Sequence, residues 1–73
     1  MRFEVGDEVE FNAADAHNRM PKEDPNRVLR GRITYLKRGE SPQALIECPN
    51  VRPRLPPFKK MVAVRHLRRL EAQ

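Results

Sequence analysis

The sequence predicts a small, strongly bent antiparallel β-barrel of four to five strands with two long irregular loops. Three observations predict it. Four short runs alternate apolar and polar side chains at the period of a strand, and glycine and proline punctuate the chain between them. The apolar set is also small. A flat sheet would leave one apolar face wet, so the strands are expected to curl on themselves.

The first run, "EVEF" at residues 8–11, puts Val9 and Phe11 on one face and Glu8 and Glu10 on the other. It follows a Gly-Asp turn, and Phe3 and Val5 continue the alternation before that turn. Residues 12–26 show no sustained period and hold two prolines, so they read as a long mobile loop. Asn12 can cap at most one short turn through Asp15 and Ala16. The second run, residues 28–36, faces Leu29, Ile33 and Tyr35 one way and Arg30 and Arg32 the other.

"KRGESP" follows as a turn in which Gly39 suits a positive φ, and "QALIEC" at 43–48 returns with Ala44, Ile46 and Cys48 inward. Four prolines then make residues 49–60 a second loop and exclude a central strand there. "MVAV" at 61–64 turns Val62 and Val64 inward. It ends in "RHLRRL", where Leu67 and Leu70 stand three apart, as in a single helical turn plugging an open end. The inward set is Val5, Val9, Phe11, Leu29, Ile33, Tyr35, Ala44, Ile46, Cys48, Val62, Val64, Leu67 and Leu70. At ~1.5–3 kcal/mol for each large side chain, this set can just support a small barrel against chain entropy.

A chain of 73 residues makes a single domain, here 1–73, and buries only ~60% of the surface its unfolded form exposes. The one cysteine, Cys48, excludes an internal disulfide and suits a reducing cytoplasm. No apolar leader opens the chain and no run approaches the ~20 apolar residues of a membrane span, so a soluble protein is expected.

The net charge of +5 is unevenly spread. Residues 1–26 carry seven acids against three bases, a balance of −4, and residues 27–73 carry twelve bases against three acids, a balance of +9. Eleven of the fifteen bases are arginine, the type suited to forked contacts with carboxylate or phosphate. Basic excess points to nucleic acid or to an acidic protein surface, but the acidic first third would be repelled by a phosphate chain lying across it.

"VGDEVEF", "LRGRITYL", "ALIEC" and "VAVRHLRRL" resemble the layout of SH3-like barrels of the Tudor and KOW type. Those barrels often open on an apolar-Gly-Asp turn and close with a short turn ending in leucine. The likeness leaves out 12–26 and 49–60. The chain as a whole, with its start "MRFEVGDEVEF", also resembles the small RNA-polymerase-binding transcription regulators of Xanthomonas phages. That resemblance implies a protein acting in the cytoplasm of a bacterial host. It would bind polymerase through the amino-terminal part of the β′ subunit, inhibit promoter initiation by disfavouring the σ-bound enzyme, and promote antitermination. It carries over no contact residues.

Candidate contacts therefore come from charge and exposure. Arg30 and Arg32, with Lys37 and Arg38, form the clearest basic stripe, and Arg65, Arg68 and Arg69 can merge with it into one patch. A solvated strand face, an acidic protein and nucleic acid all remain open for these residues. No aromatic is interleaved with the arginines, which weighs against single-stranded nucleic acid.

In "VRPRLPPFKK" the Pro53–Pro56 spacing favours polyproline II, and Leu55 and Phe58 are possible apolar anchors rimmed by Arg52, Arg54, Lys59 and Lys60. An open sheet edge is a further route, by strand addition.

Enzyme chemistry is not expected. His17 and His66 lack partners at metal-ligand spacing, Cys48 faces inward, and no glycine-rich phosphate loop exists. No cofactor is expected. The expected protein is a monomer that works by binding, with a KOW-like nucleic-acid module as the rival.

Overall fold

The computed structural model describes residues 3–50 and 54–70. They form β1 (Glu8–Asn12), β2 (Val28–Lys37), β3 (Gln43–Cys48), β4 (Phe58–Ala63) and β5 (Arg68–Arg69), with 3₁₀ turns at Ala13–Asp15 and Val64–His66. The five strands make one antiparallel sheet in the order β4-β3-β2-β1-β5. The sheet is not closed: among the described residues no ladder joins β4 to β5. The mainly β expectation holds, and no described helix is long and apolar enough to cross a membrane.

The core gathers Val9, Phe11, Leu29, Ile33, Ala44, Ile46, Cys48, Val62 and Leu67, all from the expected inward set. Val64 and Leu70 are half-buried. Two members of the set are outside. Val5 is 62% exposed because it occupies the apex of a turn in which Asp7 N donates to Glu4 O at 3.1 Å. Gly6 follows it with a φ of +99°, a conformation that favours glycine.

Tyr35 is 55% exposed for a different reason. The β2–β3 register shifts between Ile33 and Tyr35, so a bulge at Thr34 resets the alternation. Leu36 then pairs with Ala44 and packs on the core, while Tyr35 turns out opposite Leu45.

β4 begins three residues earlier than its apolar pattern suggested, directly after the Pro56-Pro57 pair. Its inward period therefore runs Phe58, Lys60, Val62. Its far edge meets the segment after β1, where Ala16 bridges to Val62 and His17 N donates to Met61 O at 2.8 Å. The Asn18 side chain completes that edge: its Nδ2 donates to Lys59 O at 2.9 Å and its Oδ1 accepts from Met61 N at 3.0 Å. One side-chain amide thus takes the place of a peptide group. Residues 12–26, expected as a long mobile loop, are joined to the sheet at these points, and Ala13 and Ala16 enter the core.

Candidate interaction surface

The outward side chains of β1 are Glu8, Glu10 and Asn12, and the register places Glu8 opposite Arg32 and Glu10 between Arg30 and Arg68. Side chains directly opposite on one face of a sheet touch. Arg30 Nε lies 3.4 Å from Glu10 Oε2, Arg68 Nε donates to Glu10 Oε1 at 3.2 Å, and Arg32 Nη2 lies 3.5 Å from Glu8 Oε1. Arg69 Nη2 donates to Asp7 Oδ2 at 3.1 Å, and its guanidinium stands 5.2 Å from the centre of the Phe3 ring. The same Asp7 oxygen accepts from Glu4 N, which closes the first turn.

Four of the seven residues expected to form one basic stripe therefore face three carboxylates of this chain. The acidic first third and the basic remainder meet across two strand pairs. Asn12 sits at the N-cap of the first 3₁₀ turn but caps nothing with its side chain, which accepts from Arg68 Nη2 at 3.4 Å instead.

Lys37, Arg38 and Arg65 differ. Each is exposed, and among the described residues none makes an ion pair. Lys37 ends β2 and Arg38 follows it into the β2–β3 hairpin connection, and Val64 N donates to Pro42 O at 2.9 Å, so the second 3₁₀ turn, which contains Arg65, is fastened beside that hairpin. Between them lies a shallow groove of about 350 Å³ with Phe3, Leu36 and Val64 in its lining and Lys37, Arg38, Gly39 and Pro42 around them. The three apolar side chains are half-buried and rest on the core.

The proline-rich loop behaves differently from its expectation as an exposed anchor. Arg52 and Pro53 lie outside the described residues. Leu55 is exposed, but Phe58 is the first residue of β4, half-buried against the core opposite Cys48.

Lys60, expected on the rim, is only 4% exposed. Its Nζ donates to Glu23 Oε2 at 2.8 Å and to Asn18 O at 3.4 Å, and stands 5.8 Å from the Phe58 ring centre. Burial alone would raise the Glu23 carboxyl. Hydrogen bonds from Lys60 and Met20 N, with the charges of Lys60 and Arg27, bring it below its ordinary value. Sequence reasoning missed this pair, although Lys60 shares the parity of Val62.

The remaining chemistry-bearing groups are dispersed. His66 Nδ1 lies 3.7 Å from Asp15 Oδ1, linking the two 3₁₀ turns, and His17 is exposed. Among the described residues no three His, Cys, Asp or Glu side chains gather as metal ligands. Burial pushes the Cys48 thiol up to about 11, which leaves it neutral and unreactive near pH 7. Among the described residues Tyr35 is the one exposed aromatic, since Phe11 is buried and Phe3 and Phe58 are half-buried. No protein family, curated protein or solved structure matches this chain.

Proposed function

We propose that this chain is a non-catalytic binding module with an SH3-like barrel topology, and that it regulates transcription by binding bacterial RNA polymerase. The strand order β4-β3-β2-β1-β5, with a 3₁₀ turn before the short last strand, is compatible with that topology. The polymerase, and the amino-terminal part of its β′ subunit, come from the resemblance of the whole sequence. A small body on that surface would disfavour σ-bound enzyme at promoters and favour readthrough in elongation, by occupying a site that other factors need.

One observation carries the choice of protein over nucleic acid. A phosphate-tracking surface needs a continuous line of available cations and stacking platforms worth ~1–3 kcal/mol per base. Here Arg30, Arg32, Arg68 and Arg69 are occupied by Glu8, Glu10 and Asp7, and Tyr35 alone among the described aromatics is exposed. The KOW-like alternative keeps these arginines as phosphate contacts that exchange one partner for another.

The test is affinity capture from bacterial lysate with and without nuclease. The expected outcome is core polymerase retained after nuclease treatment. Loss of polymerase on nuclease treatment, with DNA or RNA binding that falls steeply with salt, would favour the alternative. Reversing Arg30 and Arg32 to glutamate is a poor probe of the contact, because it sets like charges opposite Glu10 and Glu8 and disturbs the sheet itself.

A further inference from the structure

We infer that the groove between the β2–β3 hairpin and the second 3₁₀ turn is a docking site for an acidic peptide segment bearing apolar side chains. The inference rests on the protein-binding reading and names the face and the chemistry it would use.

Its first basis is charge. Arg30, Arg32, Arg68 and Arg69 each have a carboxylate of this chain beside them, whereas Lys37, Arg38 and Arg65 have none among the described residues. The acids nearest in sequence do not change this. Glu40 lies in the same hairpin connection and makes no ion pair among the described residues, and Asp15 stands beside His66. Three unneutralised cations at one end of a small domain set up a local field that steers and orients an anionic partner.

Its second basis is the groove's lining. Phe3, Leu36 and Val64 expose part of their apolar surface while their other sides rest on the core, so they form a firm floor. Pro42 and the Val64–Pro42 hydrogen bond hold the two walls together. A space of about 350 Å³ takes one or two apolar side chains, and Lys37 and Arg38 at its rim take carboxylates next to them, with Arg65 following Val64 in the chain. Phosphate is less well served, because the side chains of Phe3, Leu36 and Val64 give it no hydrogen bond. An apolar anchor flanked by Asp or Glu satisfies both parts at once.

The experiment uses the ¹⁵N-labelled full chain and three probes. These are a peptide alternating Leu or Phe with Asp or Glu, the same peptide with Lys in place of the acids, and single-stranded oligothymidylate. The acidic peptide is expected to shift the amides of Leu36, Lys37, Arg38, Val64 and Arg65, and the lysine peptide to shift none of them. Lys37→Glu/Arg38→Glu, at positions whose side chains make no ion pair among the described residues, is expected to weaken the acidic peptide by about tenfold or more.

Shifts centred on β1, β5 or Leu55 would overturn the inference, as would equal or larger groove shifts with oligothymidylate. Polymerase capture separates the two readings. Capture by the parent chain that survives in the double variant keeps the function and removes this site. Groove binding of the peptide without any polymerase capture keeps the site and removes that function.

Discussion

The Lys60–Glu23 pair and the arginines around β1 both set a cation against a carboxylate, in opposite surroundings. Lys60 and Glu23 expose 5% and 15% of their side chains and meet at 2.8 Å. Arg32 and Glu8 expose 65% and 62% and meet at 3.5 Å. Water does little for the first pair and most of the work for the second. A buried ion that loses its partner has no solvent to fall back on, whereas an exposed one is simply rehydrated. The inner pair therefore joins the 12–26 segment to β4, and the outer pairs chiefly decide which cations remain available to a partner.

The sharpest way to break this contrast is to remove Lys60. Lys60→Ala leaves Glu23 half-enclosed without its cation and opens space beside Val62 and Phe58. A loss of ~3–5 kcal/mol in urea denaturation is expected, a large share of what a small domain has. Replacing both partners, Lys60→Met with Glu23→Leu, separates the missing charge from the missing packing. Because two desolvated charges are costly to keep, the double variant is expected to recover most of the loss. Should it stay as unstable as Lys60→Ala, the strap would depend on the ion pair itself.

Acid probes the same contact more gently. The Glu23 carboxyl is held below its ordinary value of 4.5 in the folded chain. Its stabilising contribution is therefore fully present above the unfolded value and is lost as pH falls through the lowered folded one. Denaturation curves taken between about pH 6 and about pH 2 should show the parent chain losing stability faster than Glu23→Gln. Parallel losses in the two proteins would place the acid sensitivity elsewhere.

The same two regions show why the sequence was legible in part. Alternation located four strands because each has one buried face, and Gly39 and the prolines marked where they stop. Alternation is a parity argument, and one inserted residue reverses it. The bulge at Thr34 leaves no mark in composition, so Tyr35 and Leu36 exchanged faces unnoticed. Lys60 failed in the opposite way. Its parity with Val62 was readable, but a lysine beside prolines reads as solvent-facing until a carboxylate from another segment is placed over it.

The pairing of Glu8 and Glu10 with Arg32 and Arg30 had a readable spacing of two on both strands. The connection between those strands was too long to fix their register from local turn chemistry. The basic candidate contacts do face outward while Phe58 rests on the core, and what the sequence left unread was which outward cations already had partners.

The smallest effect belongs to the outer pairs. Arg30→Gln and Arg32→Gln are each expected to cost ~0–1 kcal/mol, with a difference that shrinks further at high salt. Arg30 sharpens the point because Glu10 also accepts from Arg68, so the carboxylate keeps one partner when the other is removed. Polymerase capture should then hardly change in either variant, since the charge removed was already neutralised by β1. A loss above about 2 kcal/mol from Arg30→Gln alone would mean that Glu10 and its two arginines act as one cooperative network. In that event the outer face would share the structural role assigned to Lys60, and Lys37, Arg38 and Arg65 would still stand apart from it as exposed cations with no ion pair among the described residues.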